Sequence, residues 1–346
     1  MDIKDIAKHA GVSTATVSRV VHHAPTVAPE LARRVWSAID KLGYYPNTQA
    51  RALVSGRSNT FGLIVSEITN PFFPEIVQSF ENAAVAQGYE IMLTSTAHDP
   101  RRMELAARRM IERRVDGVAV MSFGMEESLL TDSPFLRDTP LVFVDVGPAR
   151  ERVANLRIDY AQGIGEAVEH LRALGHERIA FIAGPQQLPS AQMRRAAFLA
   201  EIKRAGGAVD DSLLMVGDHT IEGGMAATRE LLKMRPRPTA VLCSNDMTAI
   251  GVMHECHEQS VPIPEELSVV GYDDIRLARY MLPPLTTVRM SQRELGETAF
   301  RALYDEARRT KPRTTGRVYP IETHLELRRS TAPPKKTSRK TAKKKG

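Results

Sequence analysis

Apolar positions over the first 44 residues recur at helical spacing. Ile3, Ile6, Ala7 and Ala10 share one face, Val17, Val20 and Val21 a second, and Leu31, Val35, Ile39 and Leu42 a third. This spacing predicts three short helices. Asp2 can cap the first, Gly11 supplies the turn after it, Ser13 caps the second, and Pro29 opens the third at a favoured first helical position. The second helix, in "AGVSTATVSRVV", leaves an outward face that is small and hydroxylated and ends in Arg19. Pro46 stops the third helix, and Asn47 can cap another short one through Leu53 before Ser55, Gly56 and Ser58 dissolve the pattern. So short a helix does not persist alone in water, so the stretch reads as a linker that orders when something holds it.

From Phe61 the period changes. Strand-like runs ("FGLIVS", "EIMLTS", "GVAVMS", "LVFVDV", "RIAFIAG", "AVLCSND", "LSVVGYDD") alternate with amphipathic helical stretches such as 73–87, 103–113, 163–174 and 191–205. Such alternation predicts an α/β fold with parallel, doubly wound sheets covered by helices on both faces. There are too many strands for one comfortable sheet, which favours two similar subdomains facing a cleft. Several runs end in polar or special residues: Asn70-Pro71-Phe72-Phe73, Asp145, Gly184-Pro185, Asn245-Asp246 and Tyr272-Asp273. Open parallel sheets bind ligands at these carboxyl ends.

Charge sharpens the picture. The 346 residues carry a net charge of +6, but residues 331–346 hold seven Lys/Arg and no acid. Residues 1–58 hold eight basic and four acidic side chains, which leaves the middle of the chain at −5. Basic ends on an acidic body point to a polyanion partner at the N-terminus, where the positive charge accompanies helical signals. No apolar run approaches the length of a membrane span and "MDIKDIAKH" has no signal-peptide core, so a cytoplasmic protein without a membrane partner is expected. Cys243 and Cys256 offer neither metal spacing nor a disulfide framework.

The motifs "IKDIAKHAGVSTATVSRVV", "LGYYPNTQARALVSGRS", "GLIVSEITNPFF", "RRVDGVAV", "FIAGP", "NDMTAIG" and "SVVGYDD…PPLTTVR" together resemble the lactose/galactose repressor (LacI/GalR) family along nearly the whole chain. The resemblance implies a helix-turn-helix headpiece (1–46), a hinge helix and linker (47–58), and a periplasmic-binding-protein-like effector and dimerisation core (59–330). The core's two subdomains would be crossed near 159, 290 and 320, and a basic, disordered tail (331–346) would follow. It also implies a homodimer on a palindromic double-stranded operator, released by a small sugar-like effector.

By the family pattern the helix from Ser13 enters the major groove. There Thr14, Ala15 and Arg19 stand where bases are read, while Thr16 and Ser18 are placed for phosphate. Arg19 can bond guanine O6/N7 bidentately, and Thr14 and Ala15 can meet a thymine methyl. In the hinge, Asn47 begins the helix, and Leu53 with Ala50 matches the leucine wedge inserted into the minor groove. The effector positions that match are Phe72, Phe73, Asp145, Asn245 and Asp273, with Ser190 and Arg194 on the segment after Gly184-Pro185. Leu188 and Gln192 stand where well-known members place a ligand-holding arginine, and His219 stands at an aromatic position; Gln192 and His219 are expected among the effector-binding residues. These departures argue against a purine corepressor.

Other constellations fail. "HECHE" (254–258) spaces its histidines i, i+3 rather than i, i+4, with no third ligand in view. Gly163 and Gly165 lack the rest of a dinucleotide fingerprint, and no GxSxG elbow occurs. "RRMELAARRMIERR" fits an ordinary amphipathic helix. Neither catalysis nor a cofactor is expected. The rival readings are a receptor without a DNA role, an enzyme, and a corepressor-dependent regulator.

Overall fold

A computed structural model describes residues 2–21, 26–44, 56–122, 139–145, 147, 151–207, 210–309 and 315–335. They fall into two units, Met1–Thr60 with Arg114–Asp116, and Phe61–Arg113 with Gly117–Gly346.

The first unit contains α1 (Ile3–Ala10), α2 (Thr14–Val21) and α3 (Pro29–Leu42). Asp2 caps α1 in a reciprocal capping box with Asp5. Ser13 Oγ accepts from Thr16 N at 3.1 Å at the start of α2, and Pro29 begins α3. Gly11 adopts φ +64° to end α1, and a Cβ there would lie 2.6 Å from Arg34 Nη2, which itself donates to Ala10 O at 2.6 Å. The turn is thus tied to α3. Ile6, Ala7, Ala10, Val17, Val20, Val21, Val35, Ala38 and Ile39 form the small core, with Ile3 and Leu42 half-buried at its rim.

The second unit holds two six-stranded sheets. In chain order the strands are β1 (Thr60–Val65), β2 (Glu90–Ser95), β3 (Val118–Met121), β4 (Leu141–Val144), β5 (Val153–Ile158), β6 (Ile179–Ile182), β7 (Leu214–Met215), β8 (Ala240–Cys243), β9 (Ser268–Asp273), β10 (Thr286–Met290), β11 (Val318–Ile321) and β12 (Thr323–Glu326). The sheet of lobe one runs β11-β5-β4-β3-β1-β2, and that of lobe two β12-β10-β9-β8-β6-β7. β11-β5-β4-β3-β1 of lobe one and β10-β9-β8-β6-β7 of lobe two pair in parallel, and β10 and β12 run antiparallel.

Strand order shows where the chain changes lobe. It leaves lobe one after Ile158, returns after Met290, and crosses a third time at Glu322, between β11 and β12. The helices of this unit are α4 (Phe72–Ala86), α5 (Pro100–Glu112), α6 (Tyr160–Ala173), α7 (Pro189–Arg204), α8 (Ile221–Lys233), α9 (Asp246–Glu258) and α10 (Gln292–Ala307). Small residues permit the closest approaches. A Cβ on Gly251 would stand 2.1 Å from Ile221 O, so α8 and α9 pack backbone to backbone.

One sequence boundary moves. The charge pattern places Thr331–Lys335 in a disordered tail, yet Ala332 N donates to Ser268 Oγ at 3.0 Å and Ser268 Oγ donates to Ala332 O at 3.1 Å. These small residues pair with the start of β9, a contact that charge patterning alone does not reveal. The hinge residues Asn47, Ala50 and Leu53, and the tail from Lys336, lie outside the described residues.

Candidate DNA-reading helix and effector cleft

On α2, Val17, Val20 and Val21 are buried while Thr14, Ala15 and Arg19 are exposed. Thr16 and Ser18 are half-buried, and Thr16 Oγ1 lies 2.9 Å from Ser13 Oγ at the helix start. The helix therefore offers a shallow face with one long cation, which can lie against a groove floor without steric conflict. Behind the linker, Asp116 accepts from Ser58 N (2.8 Å), Ser58 Oγ (3.0 Å) and Asn59 N (3.0 Å). This anchor was missed in the sequence, because Asp116 is distant from the linker along the chain.

In the second unit a cleft of about 800 Å³ opens between the carboxyl ends of the two sheets. Phe72, Phe73, Ser190, Arg194, His219, Asn245 and Asp273 all line it. Phe72 and Phe73 pack edge to face, 5.3 Å between centroids, at the start of α4, where Asn70 Oδ1 accepts from Phe72 N at 3.0 Å.

The floor is a chain of polar contacts. Arg194, only 5% exposed, donates through Nη1 to Ser244 O at 2.6 Å, pairs through Nη2 with Asp273 Oδ1 at 3.4 Å, and lies 4.1 Å from the Tyr272 ring centre. Its buried Nε has no hydrogen-bond partner among the described residues. Burial pushes the Asp273 carboxyl up to about 7, against the pull of Arg194. Asp273 sits at φ 114°, and its carbonyl accepts from Gln292 Nε2 at 2.5 Å, so the strand end is held in a sparsely populated conformation.

His219 Nε2 lies 2.9 Å from Ser244 Oγ. Burial, with Arg194 nearby, drives its imidazole down to about 3, so it is neutral at physiological pH. Gly184 makes room for that ring, since a Cβ there would fall 1.9 Å from Nε2. Asn245 caps α9 through Thr248 N (2.9 Å) and donates to His219 O (3.1 Å), so most of its amide is committed within the protein.

Two expected effector residues stand elsewhere. Asp145 does not line the cleft; its oxygens accept from Ile158 N (2.9 Å) and Tyr160 OH (2.8 Å). It orients a ring that lies 5.4 Å from the Arg194 guanidinium, so it acts behind the floor. Gln192 points away as well, donating to Gln186 O at 2.6 Å on a separate groove. Both sit at the right place in the chain but turn to satisfy local backbone.

The cleft also contains Ser66, Glu67, His98, Gln187, Asp218 and Thr220, which the sequence reading did not single out. Ser66 and His98 follow the ends of β1 and β2, a position that could have flagged them. Asp246, buried beneath the floor, accepts from Thr287 Oγ1 (2.6 Å) and Ile275 N (2.8 Å), and burial holds its carboxyl well above the usual range. The "HECHE" histidines are exposed, while Glu255 between them is buried and paired with Arg229 at 2.9 Å. No group of side chains that could hold a metal occurs among the described residues.

Residues 2–47 match the bacterial regulatory proteins of the lacI family, and residues 168–331 a periplasmic binding protein-like domain. The HTH-type transcriptional repressor PurR of Erwinia tasmaniensis is 36% identical over 331 residues, covering 95% of this chain and 96% of that protein. The chain belongs to the LacI family. It is a DNA-binding transcriptional repressor of that family. Among solved structures, the lac repressor dimer bound to operator and the anti-inducer ONPF superposes with a TM-score of 0.85 at 28% identity, covering 96% of this chain and 99% of that one. A complex of the transcriptional regulator CelR with cellobiose matches with a TM-score of 0.70 at 30% identity, covering 95% and 99%. Among the described residues, none of this repressor's helices is long and apolar enough to cross a membrane.

Proposed function

We propose that this repressor works as a cytoplasmic homodimer on a palindromic operator and is released by a small, uncharged, polyhydroxylated effector, a sugar or sugar derivative. The observation that carries the effector class is the buried pair at the cleft floor. Among the described residues the Arg194 Nε–H has no hydrogen-bond partner, and the same guanidinium pairs with the Asp273 carboxylate through Nη2 at a long 3.4 Å. A donor next to an acceptor matches two neighbouring hydroxyls, each of which both donates and accepts. Phe72 and Phe73 supply the apolar wall that a sugar ring's C–H face requires. The CelR structure, solved with cellobiose, supports the same class.

On the DNA side, Thr14, Ala15 and Arg19 read bases, Thr16 and Ser18 contact phosphate, and Leu53 with Asn47 and Ala50 forms the hinge wedge. The exposure of Thr14, Ala15 and Arg19 on a helix whose other residues are buried or half-buried supports this. Effector binding shifts the equilibrium between two core arrangements, only one of which presents both hinges to the operator.

The test begins by selecting the operator from random duplexes with the full-length protein. Thermal-shift screening of neutral sugars, sugar phosphates and purines then identifies what the cleft takes. Stabilisation by a neutral sugar that also lowers operator affinity supports the reading. Stabilisation only by a purine or a phosphorylated sugar refutes the effector class.

A further inference from the structure

Asp273 faces two ways. Its carboxylate lines the cleft and meets Arg194, while its backbone carbonyl accepts from Gln292 Nε2 at 2.5 Å. Asp273 ends β9 of lobe two, and Gln292 opens α10, which packs on lobe one. The bond therefore joins the lobes through a residue of the cleft floor.

Topology explains the approach. β10 pairs in parallel with β9 and places Arg289 beside Asp273, and the chain crosses to lobe one directly after Met290. Ser291 then caps α10, its Oγ accepting from Glu294 N at 3.2 Å. The next side chain, Gln292, is buried and turns back to the neighbouring strand end. The helix behind it is locked to lobe one. A Cβ on Gly296 would lie 2.6 Å from Ile76 O of α4, and Phe300 packs edge to face on Phe61 and on Phe80, each at 5.8 Å between centroids. Gln292 thus moves with lobe one.

The strand end it holds is strained. Asp273 and Asp274 adopt φ of 114° and 53°, and neither is glycine. Such residues persist when their surroundings over-determine them. Within lobe two, Asp246 Oδ2 accepts from Ile275 N at 2.8 Å, and the buried Asp274 carboxylate pairs with Arg328 and Arg279. These contacts fix the turn from its far side. Its near side, the Asp273 carbonyl, is fixed from lobe one by Gln292.

Given the effector cleft proposed above, we propose that Gln292 is a positioning residue for the effector response, the tie through which the occupant of the cleft sets how the two lobes sit together. A ligand that draws on the Asp273 carboxylate turns the residue whose carbonyl Gln292 holds. The bond is then kept in one lobe arrangement and weakened in another, which is the difference a ligand needs to shift an equilibrium. Tyr160 OH, donating to Asp145 at 2.8 Å, makes a second tie between the lobes, so the core stays assembled when Gln292 is replaced.

Two measurements on the full-length protein test this. Gln292→Met keeps the length of the side chain and removes its donor, Gln292→Asn leaves the amide short of the carbonyl, and Arg293→Gln, at an exposed neighbour, is the control. The first measurement needs no ligand. Both Gln292 variants should speed amide exchange within 272–276 by about fivefold, the factor that one lost hydrogen bond commands, with the control unchanged. Exchange at the wild-type rate in both variants overturns the proposal. The second measurement uses the compound that most stabilises the wild type among neutral sugars, sugar phosphates and purines. At saturation it should change the operator affinity of the Gln292 variants about fivefold less than that of the wild type, and their affinity before addition should stay within about threefold. Saturation separates transmission from affinity. A residue that only shapes the cleft raises the concentration needed and leaves the final change intact, and that result overturns the proposal. Failure of both variants to fold, or loss of operator binding before addition, makes Gln292 structural and overturns it too. If the stabilising compound is a purine, the effector class is refuted and this comparison still stands. If no compound stabilises the wild type, the effector class fails and the exchange measurement decides alone.

Discussion

Asp273→Asn isolates the charge at the cleft floor. Asparagine keeps the shape and tolerates the positive φ of 114° found there. A hydroxyl bonded to an ionised acceptor is worth roughly 1.5–3 kcal/mol, and its loss weakens effector binding by about 10- to 150-fold. The variant also leaves Arg194 without its counter-charge. Breaking a buried pair ordinarily costs about 3–5 kcal/mol of stability. Here burial already pushes the carboxyl up to about 7, so at neutral pH the pair is only partly ionised and the cost falls below that range. Arg194 also keeps its bond to Ser244 O and its place on Tyr272. The folded dimer should therefore survive with a modest fall in Tm. Calorimetry with the effector found on the wild type measures the first effect, and fluorescence anisotropy on the selected operator measures DNA affinity without ligand. An unchanged effector response would falsify the assigned role of Asp273. Outright loss of operator binding would show that the residue is structural, an anchor for the strand end.

Effector binding should strengthen as pH rises from about 6 to 8. Donated hydroxyl bonds favour the ionised carboxylate, and in the free protein this group is largely protonated below about 7. Proton release on binding, measured in buffers of different ionisation enthalpy, checks the sign, and Asp273→Asn should abolish the trend. Arg19→Ala should relax base preference at one position in each half-site, costing roughly 1–3 kcal/mol, as competition among operator variants would reveal. A preserved ranking of bases removes Arg19 as a reader. Leu53→Ala should weaken operator binding and reduce DNA bending, read by circular-permutation gel mobility, with the free dimer still folded. Ser13→Ala removes the cap of α2 and should cost about 1 kcal/mol of headpiece stability, visible as a lower midpoint in urea.

The headpiece was legible because its signals are local. Asp2, Gly11, Ser13 and Pro29 each act within a few residues, and each takes the capping or turn position that its chemistry favours. Seven strands of the core, β1–β4, β6, β8 and β9, also announced themselves as apolar runs, whereas β5 and β10, with polar residues such as Asn155, Arg157, Thr286 and Arg289, did not. β7 has two residues, and β11 and β12 mix exposed and buried positions, so periodicity gave no purchase on them. The cleft was half-legible. Asp273 ends β9, and Phe73 and Arg194 stand on the helices that follow β1 and β6, where topology brings ligand groups together. Asp145 and Gln192 stand in comparable places, but which way a side chain turns depends on neighbours such as Tyr160 and Gln186, supplied from elsewhere in the fold. The start of the tail is not legible in the sequence because Ser330 and Ala332 are small and uncharged, and their partners Val269 and Ser268 lie more than sixty positions away.

The central claim joins a DNA-reading helix to an effector cleft in one molecule, and one titration tests that join. Full-length repressor is held on its selected operator duplex, and the neutral sugar that stabilises the wild type is added while anisotropy is followed. Release of the duplex by that sugar, with Arg194→Ala and Asp273→Asn bound to DNA but unresponsive at the same concentrations, is the predicted result. A sugar that fills the cleft and leaves operator affinity unchanged, or release that persists undiminished in both variants, would contradict the account.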